Sequence, residues 1–269
     1  MKIASIEPIS VSVPYHHRET SSRVQRDGVT AVLVKITTDN GLVGWGESCP
    51  GPNVESVYET VRSTVPLFTG RNPWDREAIA ADFFETAHWY NREMIGNFAF
   101  AGIDMALNDL CAKACGQPLY NLFGGLRRTS VDYFCYLAYA NPEEVAAQAR
   151  RGLEMGYTVF YIKVGIDFHA ELEMVATLRD AIGPERKIRI DANGSWSVNE
   201  AVRYLAEFDR YRIDFAEQPV WPEPIRNMVE IRSRTPVAIC ANEGLWRLCD
   251  VHQVIHHRAA DVLCFSSNW

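Results

Sequence analysis

The stretch Tyr161-Ile162-Lys163-Val164-Gly165 ends an apolar run with a lysine, and three later apolar runs end in acids at nearly constant intervals. Asp191 follows Lys163 by 28 residues, Glu217 follows Asp191 by 26 residues, and Glu243 follows Glu217 by 26 residues. Helical stretches separate the runs. This regular spacing is typical of a parallel βα repeat with functional residues at the ends of its strands. It therefore predicts the fold of the second half of the chain.

Six short apolar runs beyond residue 125 predict β-strands, and the stretches between them predict helices. We expect strands at 131–136, 158–163, 188–191, 213–217, 237–241 and 261–265, and helices at 142–155, 168–182 and 198–208. Successive βα units predict an α/β fold, either a barrel or a doubly wound sheet. We favour a TIM-like barrel because charged residues end successive strands, and the sites of such barrels form at that rim. Eight strands need more chain than this one offers, so we expect a barrel truncated after strand six.

The first 125 residues have a different pattern. Alternating apolar and polar residues at 2–13, 29–37 and 42–47 predict an antiparallel meander, and helical periodicity follows from residue 54 to about residue 116. We therefore predict an N-terminal α+β domain at 1–125 and an incomplete barrel domain at 126–269.

The polar interval 14–28 lies between the first two predicted strands and reads as a long loop. Long loops in compact domains are more often functional or mobile than structural. Its His16, His17 and Arg18 suit an anionic substrate, and they suit a solvated surface loop at least equally well.

Composition indicates a soluble globular protein that acts on small molecules. The chain has 269 residues, of which 47% are hydrophobic and 23% are charged, and its formal net charge is −7. The sequence contains no basic run, so nucleic acid is not an expected partner. No stretch approaches the ~20 apolar residues that span a bilayer, and the N-terminus lacks the apolar core of a signal peptide. We expect no membrane association and a cytoplasmic location.

Three carboxylates at one rim, without histidine or cysteine, predict a site for a hard cation. Such oxygen ligands suit Mg²⁺ or Mn²⁺ better than zinc or copper. We assign Asp191, Glu217 and Glu243 as the ligands. An octahedral ion would keep about three positions for water or substrate. A substrate carboxylate bound there would be stabilised as its neighbouring carbon loses a proton.

Lys163 stands at the same rim and is predicted to take that proton. A lysine is a poor base at neutral pH, but a nearby cation and partial burial make it give up its own proton more readily. Taken alone, Lys163 or any one of the acids is better explained as a surface charge. Independent surface charges have no reason to recur with the βα period, so we predict that the set of four is functional.

A series of short motifs supports a family resemblance. In chain order they are Gly41-Leu42-Val43-Gly44-Trp45-Gly46-Glu47, Ile103-Asp104-Met105-Ala106-Leu107 with Asp109, Pro118-Leu119-Tyr120 leading to Leu122-Phe123-Gly124-Gly125, Ile162-Lys163-Val164-Gly165, Asp191-Ala192-Asn193, Glu217-Gln218-Pro219 and Asn242-Glu243. With these motifs the whole chain resembles the enolase superfamily, in the branch of muconate-lactonising enzymes, mandelate racemases and acid-sugar dehydratases.

The resemblance implies an N-terminal α+β capping domain, a modified TIM-like (β/α)7β barrel, Mg²⁺, and removal of the proton α to a carboxylate. By position, it matches Asp191, Glu217 and Glu243 to the metal ligands and Lys163 to the catalytic base. It also implies a small-molecule carboxylate as substrate and a homo-oligomer.

Two positions depart from the pattern of the family. The usual lysine-any-lysine motif reads Tyr161-Ile162-Lys163, and Ser266 stands where the muconate-lactonising and dipeptide-epimerase group carries a second lysine. Racemisation of that type needs bases on both faces of the substrate carbon. One base suffices for an elimination, because it removes the α-proton and then, as its conjugate acid, protonates a β-hydroxyl that leaves from the same side.

We therefore predict a lyase, a dehydratase of a hydroxylated carboxylate that is either an acid sugar or a hydroxylated amino or imino acid. A racemase, epimerase or cycloisomerase of the same superfamily is the alternative, and a non-catalytic ligand-binding relative is an alternative of another class. Tyr161 is assigned to the catalytic site, where it orients the substrate or hydrogen-bonds the lysine, although a packed strand aromatic explains it about equally well. Asn193 and Asn242 flank metal ligands and are expected to support them.

Overall fold

The computed structural model describes residues 1–50, 53–86 and 94–265. Within these ranges the chain forms two compact units. The first contains Met1–Pro14 and Gly28–Thr129, and the second contains Tyr15–Asp27 and Ser130–Phe265. The domain limits at residue 125 stay a prediction.

A three-stranded sheet opens the chain, in the order β1 (Ile3–Thr20), β2 (Gln25–Thr38) and β3 (Val43–Ser48). Strands β2 and β3 are antiparallel. The turn between them is closed by Thr38, whose hydroxyl donates to the Asn40 side chain at 2.6 Å. The meander expected from the alternating pattern is therefore present.

Helices follow the sheet: α1 (Val54–Phe68), α2 (Arg76–Thr86), α3 (Ile95–Ala114) and the short α4 (Leu119–Leu122). Helix α3 lies directly against β3, and small residues allow the close approach. A Cβ atom added at Gly46 would overlap the carbonyl oxygen of Gly102 in α3, and one added at Gly44 would overlap that of Ala106. Glycine at these two strand positions is thus needed for contact between backbones.

Replacing Gly46 with alanine is expected to destabilise the first unit, because the added methyl group must push α3 away from β3. Overpacking of this kind costs about 1–3 kcal/mol in the free energy of unfolding. The control Glu47→Ala changes an exposed side chain of the same strand, and its expected effect is below about 0.5 kcal/mol. Urea unfolding measures both, and equal stabilities would contradict the close contact.

The long loop predicted at 14–28 is wrong. Strand β1 continues to Thr20 and β2 begins at Gln25, so the interval forms a β-hairpin whose turn spans residues 21–24. Two ion pairs link its strands, Arg18 with Asp27 and Arg26 with Glu19. Cross-strand pairs of opposite charge stabilise a ladder, which is why a polar segment is extended here.

The second unit contains a six-stranded sheet whose strands follow one another in chain order, and every neighbouring pair is parallel. The strands are β4 (Cys135–Leu137), β5 (Val159–Lys163), β6 (Lys187–Asp191), β7 (Phe215–Glu217), β8 (Ile239–Ala241) and β9 (Val262–Leu263). Between them lie α5 (Pro142–Glu154), α6 (Phe168–Ile182), α7 (Val198–Phe208), α8 (Arg226–Arg234) and α9 (Leu248–His256), with a 3-10 turn at Asp209–Tyr211. This arrangement confirms the α/β class.

Side chains that act as N-caps set the starts of the connecting helices. Asn141 accepts a hydrogen bond from the Glu144 backbone at the start of α5, and Asp167 caps α6 in the same way. Helix α7 begins with a capping box between Ser197 and Glu200. Each cap satisfies backbone N–H groups that lack a partner in the helix, so the turns after β4, β5 and β6 are fixed locally.

Successive side chains of each strand point to opposite faces of the sheet, so the hydrophobic core lies on one face and the charged residues lie on the other. Ile162, Ile190, Ala216 and Ile239 are buried in the hydrophobic cluster shared by the sheet and its helices. Their strand neighbours point to the other face, since successive side chains of a strand alternate. The charged ends of the strands therefore lie on the face away from the helices. No helix in the described ranges is both long and apolar enough to cross a lipid bilayer.

Candidate active site and metal centre

The parallel register places the predicted residues of three strands in one row. Lys163 pairs with Asp191, Asp191 pairs with Glu217, and Glu217 pairs with Cys240. Tyr161 precedes Lys163 by two residues and therefore shares its face of the sheet. The structure brings these side chains together because each of the three strands ends at the same level.

Asp191 accepts hydrogen bonds from three of its neighbours. The carboxylate is 1% exposed, and its Oδ2 atom lies 2.6 Å from the Tyr161 hydroxyl and 2.5 Å from the Lys163 ammonium. Asn193 donates to it twice, from its backbone N–H at 2.8 Å and from its side-chain amide at 3.1 Å. A buried carboxylate is tolerated only when it is paired and hydrogen-bonded, and Asp191 is both.

The other two predicted ligands, Glu217 and Glu243, accept fewer hydrogen bonds than Asp191. Burial and then the charge of Asp191 raise the pKa of Glu217 to about 8. Burial also raises the pKa of Glu243, although the Asn193 amide, which donates to its Oε1 atom at 2.8 Å, works in the opposite direction. Both carboxylates therefore lie where a further positive charge would stabilise their ionised forms.

Tyr161 contributes both its ring and its hydroxyl. The ring stacks on Phe134 with centroids 4.7 Å apart and lies 5.9 Å from the ring of Tyr136. Its hydroxyl is within hydrogen-bond distance of Glu217 Oε2, at 3.2 Å, as well as of Asp191. Burial, followed by the charges of these two acids, raises the pKa of Tyr161, so its phenol keeps its proton. The bond to the lysine expected as one alternative is replaced by bonds to the acids.

The donor set fits a hard divalent cation. Asp191, Glu217 and Glu243 supply carboxylate oxygens, and with the Lys163 ammonium they carry a formal charge of −2 when all are ionised. Glu243 Oε2 is buried without a hydrogen-bond partner in the described structure. In residues 1–50, 53–86 and 94–265, no three His, Cys, Asp or Glu side chains already stand at ligand spacing. Other carboxylate oxygens that a cation would bind accept hydrogen bonds here instead. Asp191 Oδ2 accepts from Lys163, and both Asp191 and Glu243 accept from the Asn193 amide.

Asn242 precedes the predicted ligand Glu243 and bonds to the segments that follow β7 and β9. The Asn242 backbone N–H donates to Gln218 Oε1 at 2.9 Å, and its side chain donates to the Cys264 carbonyl at 3.3 Å. The turn that carries Glu243 is thereby attached to the ends of the strands on either side, β7 and β9. Ser266 lies outside the described residues.

A cavity of about 430 Å³ lies beside the row, between the hairpin and the end of β4. Tyr136 belongs to its wall and packs against the ring of Tyr161, whose hydroxyl bonds to Asp191. The remaining lining residues are Tyr15, His16, His17, Arg18, Glu19, Arg26, Ala138 and Gln148. The volume is in the range of small-molecule sites.

The hairpin turn adds two residues that sequence reasoning missed. Ser22 donates to the carbonyl oxygen of Ala192 at 2.8 Å, and Arg23 donates to those of Asn193 and Gly194 at 3.2 and 2.7 Å. The only signal in the sequence was the polar character of this interval, since 170 residues separate Ser22 from Ala192.

Two domain families together match most of the chain. Residues 6–124 match the N-terminal domain of mandelate racemase and muconate lactonizing enzyme, and residues 144–268 match the enolase C-terminal domain-like family.

Known proteins match the chain almost from end to end. An N-succinyl-L-Arg/Lys racemase of Bacillus cereus is 30% identical over 97% of this chain and 71% of its own length. An L-Ala-D/L-Glu epimerase of Bacillus subtilis is 31% identical over 98% and 72%, respectively. The crystal structure of a dipeptide epimerase from Enterococcus faecalis, complexed with Mg and the dipeptide L-Leu-L-Tyr, has a TM-score of 0.92 at 26% identity and covers 100% of this chain and 75% of that one.

These relatives are enzymes, mostly racemases, epimerases and cycloisomerases, and they include a D-gluconate dehydratase of Thermoproteus tenax, of which the chain spans 54%. Their fold combines an N-terminal cap with a C-terminal TIM-like barrel. The chain belongs to the enolase superfamily, in its mandelate racemase and muconate-lactonising branch. The expected family and fold class are confirmed, whereas the roles of the five site residues stay predictions.

Mg²⁺ is expected to raise the melting temperature of the wild-type protein, because it would relieve repulsion among the three acids. Glu217→Gln and Glu243→Gln each remove one carboxylate ligand, so we expect both to lose this rise while melting no lower than the wild type in EDTA. The control Glu185→Gln changes an exposed acid and should keep the full rise. Thermal unfolding with Mg²⁺ and with EDTA measures both quantities. A full Mg²⁺ effect in the two site variants would contradict the assignment.

Proposed function

We propose that this chain catalyses Mg²⁺-dependent removal of the proton α to a carboxylate, and that the overall reaction is the dehydration of a hydroxylated carboxylate. The observation that carries the proposal is the row of Lys163, Asp191 and Glu217 at the ends of adjacent parallel strands. A lysine, which accepts a proton in its neutral amine form, and two acids in register provide a proton acceptor beside a site for positive charge.

Asp191, Glu217 and Glu243 would hold the cation. When bound, Mg²⁺ supplies the positive charge that stabilises the extra negative charge on the substrate carboxylate as the α-carbon loses its proton. Asn193 joins two of these ligands by donating to Asp191 and to Glu243, and so fixes the spacing of their oxygens.

Lys163 is the proposed base. Its side chain is 12% exposed and held at Asp191, so it lies at the edge of the carboxylate cluster rather than in open solvent. In its neutral form Lys163 takes the α-proton and becomes an ammonium group. The same group then gives a proton to the β-hydroxyl on that face, so the C–O bond breaks and water leaves. Where the α-carbon carries a hydroxyl group, the product is an enol, which takes up a proton at its β-carbon, loses the proton of that hydroxyl and becomes a 2-keto acid.

Tyr161 is proposed to keep this arrangement in place. Its hydroxyl remains protonated and bonds to Asp191, while its stacked ring prevents rotation of the side chain. A fixed donor at this point limits the geometries that Asp191 can adopt. Preorganisation of this kind reduces the reorganisation needed during the reaction.

The cavity beside β4 would hold the part of the substrate remote from its carboxylate. His16 and His17 in its wall can hydrogen-bond hydroxyl or amide groups, whereas the Gln148 amide already bonds to the Ala138 backbone. The arginines of the wall are already paired, Arg18 with Asp27 and Arg26 with Glu19. Polar, hydroxylated substrates such as acid sugars or hydroxylated amino acids suit such a wall.

Lys163→Met is expected to abolish exchange of the substrate α-proton with solvent deuterium, since the variant has no group at that position to accept the proton. The loss should be at least about 100-fold, the usual contribution of a general base. Proton NMR of candidate hydroxy acids in D₂O with Mg²⁺ measures the exchange.

Lys187→Met is the matched control, because Lys187 begins β6 and its side chain is exposed and paired with Asp214. It should retain wild-type exchange. Normal exchange by Lys163→Met would refute the base assignment. Absence of both exchange and product formation by the wild type with every substrate of the class would favour a ligand-binding relative.

Racemisation or epimerisation is the second candidate, favoured by the racemase and epimerase relatives. It requires a second acid that delivers a proton to the opposite face of the carbon. The two reactions differ in their products, because dehydration forms 2-keto acids and racemisation preserves the composition of the substrate.

A substrate-library assay for 2-keto acids is therefore expected to be positive with a hydroxylated carboxylate, since a single base suffices for elimination. Chiral chromatography of the same mixtures provides the comparison. Inversion of configuration without a keto product would overturn dehydration and support the second candidate.

A further inference from the structure

The turn of the hairpin between β1 and β2 touches the loop that carries the carboxylate site. Arg23 Nε donates to the carbonyl oxygen of Asn193 at 3.2 Å, and Arg23 Nη2 donates to that of Gly194 at 2.7 Å. Ser22 bonds the preceding carbonyl, at Ala192. Three consecutive carbonyl groups of the turn after β6 are thus held by two neighbouring side chains.

The backbone that Arg23 contacts is the part that orients Asn193. Asn193 has a φ of 48°, in the left-handed region that non-glycine residues rarely adopt. In this conformation its backbone N–H and its side-chain amide both reach Asp191, and the amide also reaches Glu243. Rotation of this turn would therefore separate the amide from both carboxylates.

Arg23 also contacts the next loop along the sheet. Its guanidinium group lies 5.5 Å from the centroid of the Trp221 ring, four residues after Glu217. The two loops are joined to each other as well, because the Gly194 N–H donates to the Gln218 carbonyl at 2.7 Å. One exposed arginine thus connects the turns that follow two ligand-bearing strands.

We infer that Arg23 is a positioning residue for the carboxylate site: it holds the Ala192–Gly194 turn so that the Asn193 amide spaces Asp191 and Glu243 for a divalent cation. This inference rests on the proposed Mg²⁺ site. The contacts of the hairpin turn with this loop and the binding of the cation are then linked, and each favours the other.

The sign of the effect distinguishes this role from simple electrostatics. Arg23 is a cation, so its charge alone disfavours Mg²⁺, and its removal should strengthen binding if charge were all that mattered. A positioning role predicts that removal of Arg23 weakens Mg²⁺ binding. Groups that orient metal ligands typically change metal affinity 10- to 100-fold when removed, and we expect Arg23→Ala to weaken Mg²⁺ binding about tenfold.

Isothermal titration calorimetry of the full chain with Mg²⁺ tests the inference. Arg23→Lys should recover part of the affinity, because a lysine retains the charge and can donate to one of the two carbonyl groups. Arg18→Ala is the matched control, since it removes the same charge from the same hairpin, where Arg18 pairs with Asp27. Its affinity should equal or exceed that of the wild type. Melting temperatures in EDTA should agree among all four proteins, since Arg23 and Arg18 are exposed.

Trypsin provides a second readout that does not depend on calorimetry. Mg²⁺ should slow cleavage after Arg26 in the wild type, and this protection should be lost in Arg23→Ala.

Unchanged Mg²⁺ affinity in Arg23→Ala, or an equal loss in Arg23→Lys or Arg18→Ala, would overturn the inference. A lower melting temperature of Arg23→Ala in EDTA would also overturn it, because it would indicate a general structural role. If the wild type itself binds no Mg²⁺, the metal centre of the proposed function fails, which is a different result from normal binding by both wild type and variant.

Discussion

A carboxylate that is almost completely buried must be compensated where it lies, and Asp191 imposes this requirement on the second unit. Its oxygens receive the Lys163 ammonium, the Tyr161 hydroxyl and two N–H groups of Asn193. Leaving a buried charge without such partners would cost several kcal/mol. The register of β5 against β6 and the left-handed backbone at Asn193 both follow, because each brings one of these donors to Asp191.

The positions of the four charged residues could be predicted because the βα repeat converts spacing in the sequence into proximity at one edge of a sheet. Strands and helices of regular length place Asp191 and Glu217 side by side, and no knowledge of the loops is needed. The hairpin could not be predicted in this way. Its residues are polar on both strands, and pairs such as Arg18 with Asp27 form only once the chain has folded back. The contact of Arg23 with Gly194 is more remote still, since 171 residues separate them.

Tyr161 shows why a residue type alone leaves its role open. A strand tyrosine beside a charged row can bury its ring, bond through its hydroxyl, or do both. Here the stacking on Phe134 and the bond to Asp191 occur together. The phenol has one proton to donate and two carboxylates within reach. Asp191 and Glu217 therefore share one donor, and this sharing leaves the cluster short of hydrogen-bond donors.

The pairing of Lys163 with Asp191 and of Asp191 with Glu217 makes the length of each strand as important as its composition. Deleting one residue within β6 would turn Asp191 toward the helices, where Ile190 now packs. Inserting two residues would keep the face but move the carboxylate about 6–7 Å along the strand. The connections at the opposite edge, such as the exposed segment 184–186 between α6 and β6, carry no such restriction. Changes of chain length should therefore accumulate there during divergence, while the strands that reach the row keep a constant number of residues.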